Sequence, residues 1–275
     1  MMLHQVEFLV EGHMLPPTIG RLKISETLIL EQVYRSGSEH PISAIAYVGV
    51  VTPGEANPFF TARDYLDFFL LIYCLVSGQA VTTTMGIGTT LDDINSLGRK
   101  RVGFPGSEKI EVMGEYEEDF VSKPILEAKK RFLLFEPDRQ KIMESPLGLA
   151  LKYYYLAVRA SSRLSEEAVI HLMIAAEALL ITMNEKVRGT LSSRLSTLIA
   201  ENETEKAEIS KKMRELYDLR SAIVHGKGKK TSFDEARILF AYVRRAIECG
   251  LSLRRLTKEE LAAKLDNECA QNDGA

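Results

Sequence analysis

The stretch SEEAVIHLMIAAEALLITMN, Ser165 to Asn184, is apolar nearly all round. At 3.6 residues per turn, Val169, Leu172, Met173, Ala176, Leu179, Leu180 and Met183 form one stripe. Ile170, Ile174, Ala178 and Ile181 fill the other side. Two apolar faces predict a central helix, buried among others. Ser165 offers an N-cap hydroxyl, and Glu166 and Glu167 suit the positive end of the helix dipole. Inside this helix sits Glu177, a carboxylate that costs several kcal/mol in lost hydration unless it is paired and hydrogen-bonded. Three settings compete for it: an internal salt bridge to an Arg of a neighbouring helix, a wet functional cleft, and a surface position.

The same period continues on both sides of that segment, predicting helices near 122–135, 145–160, 187–200, 204–225, 234–255 and 257–268. Thr204 and Ser232 read as N-caps, and Gly226 reads as the residue that ends the helix before it. Short connections imply antiparallel neighbours, hence an all-α up-and-down bundle over residues 121–275. Residues 1–120 read differently. Gln5–Val10 alternates, Arg21–Ile24 and Thr27–Val33 are short aliphatic runs, and Ile42–Val51 is rich in β-branched residues. Pro16-Pro17, Ser36-Gly37 and Pro53-Gly54 supply turns between them. A single buried helix is expected from an N-cap at Thr61 to Gly78, followed by a strand over Val81–Thr90 and a loop over 92–119. The fold class is therefore α+β, a β-rich domain with one buried helix followed by a helical bundle.

Charge divides at the same place. The chain has 275 residues and a formal net charge of −3. Residues 1–120 hold 8 basic and 16 acidic side chains, whereas 121–275 hold 27 and 22, so an acidic module precedes a modestly basic one. Hydrophobic and charged fractions of 45% and 27% are those of a globular chain and exclude a disordered one. Cys74, Cys249 and Cys269 share no CxxC spacing, which points to neither a disulfide framework nor a zinc site. The first residues lack a basic stretch before an apolar run, and the longest apolar run, Phe68–Val76, is too short for a membrane helix. A cytoplasmic protein with no membrane partner is expected.

Several chemistries have no motif here: no HExxH, no G-x-S-x-G, no G-x-x-x-x-G-K-[ST]. Gly226–Lys230 (GKGKK) lacks the strand-loop-helix order of a phosphate loop, and Gly86-Ile-Gly88 reads as a bend in a strand. No metal and no cofactor is expected. On the predicted helix 204–225, Ile209, Met213, Leu216 and Ile223 run along one face, and Arg220 lies on that line. Arg on an apolar stripe calls for an anion: Glu177 is one candidate and an RNA phosphate the other. The helix closes with His225, next to Gly226.

Leu216–Gly226, LYDLRSAIVHG, resembles the signature of the HEPN superfamily, in which an R-x4-6-H motif closes a helix of a small bundle. The likeness is to the Apea-like HEPN group, with Ser after the Arg and Gly after the His. It extends to the AAEALL segment around Glu177, to Arg194, and to the Tyr-rich LKYYYLAV, over residues 140–255 in all. A second R-x4-H, Arg35 to His40, sits in a Gly/Ser turn of the β-rich half and reads as a chance match.

The resemblance implies a metal-independent endoribonuclease acting as a homodimer, with Arg and His of both subunits lining one cleft, and toxin-like or phage-defence duty. On it Arg220 and His225 are catalytic, and Ser221, Glu177, Arg194 and Tyr217 support them. An Arg and a His together supply a fixed cation for the phosphorane charge and a general acid/base. Five residues at about 100° each put the two about 140° apart on a regular helix, which favours a site completed across a twofold axis. Lys227, Lys229, Lys230, Arg237 and Arg244 are the expected RNA contacts. A non-catalytic HEPN module for dimerisation or for ligand or RNA binding is the alternative. The acidic first module is a place for a protein partner or a trigger.

Overall fold

β-Branched, alternating sequence folds as strand in the first ninety residues. The structure is a computed structural model and describes residues 2–11, 21–34, 41–52, 58–90, 123–161, 165–226 and 230–272. Met2–Glu11 (β1), Arg21–Lys23 (β2), Leu28–Tyr34 (β3), Pro41–Thr52 (β4) and Thr82–Thr90 (β5) form one antiparallel sheet in the order β2-β3-β4-β1-β5. The register of β1 against β5 moves from Phe8↔Gly86 to Val10↔Thr83, so β5 carries one extra residue beside the Gly86-Ile-Gly88 segment.

The helix Pro58–Ser77 (α1) packs on β4, β1 and β5. It starts three residues before the expected Thr61, because proline suits the first turn, where its missing N–H is not needed. Gly78 ends it at φ +70, donating its N–H to Cys74 O at 2.9 Å. The buried residues of α1 run from Ala62 to Leu75 and meet Val10, Leu22, Leu28, Leu30 and Val48 as the core of this unit. The phenol of Tyr65 is tied to Ser25 Oγ at 3.2 Å, which anchors the β2–β3 turn.

Lys123–Phe135 (α2), expected as the first helix of the bundle, belongs instead to the β-rich unit. Phe132 supplies the reason. Its ring lies 5.3, 5.8 and 5.5 Å from those of Tyr65, Phe68 and Phe69, so α2 closes the open side of α1. The two compact units are Met1–Pro137 and Asp138–Ala275, and the boundary falls after α2 rather than at residue 120.

The second unit is helical. A short helix that the period did not predict, Arg139–Met143 (α3), precedes Pro146–Ser161 (α4), Ser165–Leu180 (α5), Val187–Ile199 (α6), Glu203–Val224 (α7), Phe233–Ser252 (α8) and Lys258–Asn272 (α9). As its two apolar faces require, α5 touches α4, α6, α7, α8 and α9. Its first stripe is buried from Ala168 to Leu180, but Ile170, Ile174, Ala178 and Ile181 are only half-buried.

Helix α5 also stops four residues short of the expected Asn184. Thr182 N–H donates to Glu185 Oε2 at 2.9 Å, Asn184 turns at φ +66, and Met183, assigned to the stripe by its spacing, is 88% exposed. The cap of α7 is Asn202, not Thr204, because its side chain accepts from Glu205 N–H at 2.9 Å. Ser232 caps α8 as expected, in a capping box with Glu235. No helix among the described residues is long and apolar enough to cross a membrane.

Candidate functional site

The last two turns of α7 carry the motif. Gly226 ends the helix at φ +66, donating to Ile223 O at 3.0 Å, while His225 N–H donates to Ser221 O at 3.1 Å. Met213, Leu216, Leu219 and Ala222 hold the inner face of α7 in the core. They fix which way each polar neighbour turns. Arg220 is half-buried, whereas His225 is exposed and Ser221 and Tyr217 are half-buried. The motif therefore spans two faces of its helix, as the angle of about 140° requires.

Arg220 is close enough to Glu177 of α5 to be felt electrostatically, yet no ion pair joins them. The expected Glu177–Arg220 salt bridge is absent. Arg220 Nε and Glu177 Oε1 are both buried and without a hydrogen-bond partner. Burial pushes the Glu177 carboxyl up, and the charge of Arg220 draws it partly back. Lys258 Nζ donates to the backbone oxygen of Glu177 at 3.5 Å, but its ammonium, whose pKa burial lowers, feels the charges of Glu259, Glu185 and Arg194. Glu177 and Arg220 are a half-satisfied polar pair at the packing of α5 and α7, and such groups are costly in a core.

Arg194 is not part of it. Its guanidinium is 96% buried and makes five hydrogen bonds: to Leu180 O at 2.7 Å, two to Glu185 at 2.7 and 2.8 Å, and two to Asp266 at 2.7 and 2.8 Å. These hold the end of α5, the turn after it, and α9 to α6. The residue expected to support catalysis is a structural hub. Glu185, in turn, is held well below the usual carboxylate range, at about 2, by those bonds from Arg194.

The expected RNA contacts fare unevenly. Lys230 is exposed, and Lys227 and Lys229 lie outside the described residues, as does the Arg35–His40 match. Arg237 pairs with Asp234 at 3.6 Å and Arg244 with Glu248 at 3.4 Å, each one turn away on α8. Their charge is already answered, as on an ordinary solvated face.

A second line of polar residues runs along α7. Arg214, Asp218, Ser221 and His225 follow one another at spacings of 4, 3 and 4, which keeps them on one line of α7. Arg188 of α6 reaches that line, bonding Asp218 through Nε and Nη2 at 2.7 Å each. Beside it lies a groove of about 420 Å³ lined by Arg188, Ala207, Ser210, Lys211, Arg214 and Glu215. One chain thus presents an exposed imidazole at the end of a polar line that begins at Arg214, with the motif arginine held on another face.

Among the described residues no three of His, Cys, Asp and Glu gather as a metal ion would require. Compared with protein-family models, with curated proteins and with solved structures, the chain matches none.

Proposed function

We propose that the chain is a metal-independent endoribonuclease of HEPN type, an RNA-cleaving toxin or phage-defence effector that works as a homodimer. The observation that carries this reading is the setting of His225: an exposed imidazole at the C-terminus of α7, one turn beyond the half-buried Arg220 with its unpartnered Nε. An imidazole can act as general base through one ring nitrogen and, once protonated, as general acid. In the dimer, one His225 accepts the proton of a ribose 2′-OH as that oxygen attacks the phosphorus. The other gives a proton to the departing 5′-oxygen as the P–O5′ bond breaks, leaving a 2′,3′-cyclic phosphate. Arg220, half-buried next to the helix end, supplies positive charge to the phosphorane. Val224 and Phe233, 50% and 80% exposed on either side of His225 in sequence, offer apolar surface for a second copy.

The test is cleavage of single-stranded RNA in EDTA by the native chain and by His225→Ala. Loss of cleavage in a variant that keeps the native melting temperature supports the reading, and equal cleavage by both proteins refutes it.

One observation favours a second reading, a non-catalytic HEPN module for dimerisation or ligand binding. Arg220 already faces an anion of its own chain, Glu177, and this is a structural use of the residue. That reading predicts a dimer in solution and no RNA turnover by either protein.

A further inference from the structure

Helices α6 and α7 leave a groove on the outside of the second unit, and its lining brings Arg188, Lys211 and Arg214 together on one concave wall. Several other cations of the unit are matched. Arg245 pairs with Glu205 at 2.9 Å, Arg254 with Asp138 at 2.7 Å, Lys206 with Glu203 at 3.8 Å, and Lys264 with Glu268. In the groove the carboxylates are taken by other cations. Glu215 is held by Lys212 at 3.1 Å, and both oxygens of Asp218 are held by Arg188. Lys211 and Arg214 are left with no ion pair among the described residues. They stand three apart on α7, one turn of helix, where like charges repel.

A concave wall concentrates that uncompensated field, and a polyanion relieves it. Ser210, half-buried in the same wall, adds a hydroxyl able to donate to a phosphate oxygen. The position of the groove says which polyanion. From Arg214 the line through Asp218 and Ser221 reaches His225, eleven residues on, a run of about 16 Å at 1.5 Å per residue. An acidic protein needs no such continuity, but a strand whose scissile phosphate lies at His225 has the next phosphates where this line leads.

We infer that the α6–α7 groove is a docking track for the backbone of single-stranded RNA, with Lys211 and Arg214 binding phosphates and the strand running along α7 toward His225. This rests on the reading of RNA as the substrate, and it adds which surface holds the strand. The track runs on α7 and α6, not along the α8 face of Arg237 and Arg244.

The experiment measures binding without cleavage. A fluorescein-labelled, 2′-O-methylated oligouridylate of about twelve nucleotides, which has no 2′-OH to attack, is titrated with the full chain in EDTA by anisotropy, from about 50 to 200 mM salt. Three proteins are compared: native, Lys211→Glu/Arg214→Glu, and the charge-matched Lys141→Glu/Lys152→Glu, whose positions are exposed on α3 and α4. All three exposed surfaces are helical, so circular dichroism verifies the fold. The groove variant is expected to bind at least tenfold more weakly. The slope of log K against log salt should be shallower by about 1.4, which is two single-strand phosphate contacts at about 0.7 each. The control should bind as the native chain does.

Unchanged binding by the groove variant, equal losses in both variants, or no binding by the native chain would overturn the inference. So would binding of polyglutamate as tight as that of the oligonucleotide, which would assign the groove to an acidic protein. The nuclease reading fails separately. If the oligonucleotide binds through the groove and natural RNA is never cut, the track stands and the catalysis falls.

Discussion

Replacing Arg194 by Met tests whether this residue belongs to chemistry or to architecture. Leu180 is the last residue of α5, and the carbonyls of a helix end have no partner within the helix. Arg194 Nη1 satisfies that of Leu180 at 2.7 Å, while its other bonds grip Glu185 and Asp266. Met keeps the length and removes all five donors. The stranded carbonyl costs about 1–3 kcal/mol. Breaking a fully buried ion pair costs about 3–5 kcal/mol, but Glu185 and Asp266 are 23% and 53% exposed and regain water, so only part of that applies.

A loss of about 2–4 kcal/mol follows. At roughly 4 °C per kcal/mol for a unit of this size, Arg194→Met should melt about 8–16 °C below the native chain, as followed by circular dichroism at 222 nm. The gap should depend on pH. Glu185 is drawn from its ordinary value down to about 2 in the folded chain, so between those values the unfolded state binds the more protons. Native stability from this group is complete above about pH 5 and lost as pH falls toward 2. The two melting temperatures should therefore converge on acidification. A variant that melts like the native chain but no longer cuts RNA would refute the structural role and return Arg194 to the site.

Glu177→Gln should have the opposite sign. Burial raises the folded pKa of Glu177 above the unfolded value, so native stability falls as pH rises through it. The amide should melt at the native temperature or up to about 1 kcal/mol higher at pH 7, and a large loss would show a strong bond to Arg220 that the geometry lacks. Phe132→Ala removes the ring that meets Tyr65, Phe68 and Phe69, and should cost about 3–5 kcal/mol in denaturant unfolding of the first unit. Gly148→Ala puts a methyl 2.4 Å from Ile142 O and 2.6 Å from Met143 O, backbone atoms that cannot turn aside. A loss of about 3 kcal/mol or more in urea is expected, and a neutral result would mean that α3 and α4 are not packed this closely.

How much of this was legible in the sequence follows from what each signal encodes. Apolar period marks which face is buried, and it located the helices from 123 to 272, the short α3 excepted, within a few residues. It does not mark where a helix ends. Ile181 and Met183 continue the pattern of α5, yet the chain leaves the helix because Glu185 and Arg194 offer its last groups better partners. Nor does period say which unit a helix joins, since α2 has the amphipathic face of a bundle helix and spends it on Phe68 and Phe69.

Arg194, expected as a supporting residue of the site, has an architectural set of bonds that its sequence position does not reveal. One chain position cannot show that its partners lie in a turn 9 residues before it and a helix 72 residues after it. The unpaired state of Lys211 and Arg214 was equally invisible, because it depends on Lys212 and Arg188 having taken the nearby acids. The spacing that connects Arg214 to His225 was visible, and hidden only by the motif that drew the eye to Arg220.

That spacing bears on how one helix end serves a reaction. Intervals of three, four and seven keep residues on one face of a helix, and an interval of five does not. Arg220 consequently meets α5 and Glu177 inside, while His225 continues the line of Arg214, Asp218 and Ser221 outside. A phosphate flanking the side of α7 meets only one of the two. A phosphate beyond the end of the helix is different, because there the angle between the residues no longer separates them by the width of the helix. Gly226 occupies that end at φ +66, and among the described residues nothing lies within 4 Å of where a Cβ would stand. The glycine is therefore required by the left-handed turn. An anion approaching there also meets the unsatisfied carbonyls of the helix C-terminus, which repel it. On the proposed reading, positive charge has to outweigh them, from Arg220 behind and from a second copy in front, which is the electrostatic argument for a site completed by two chains.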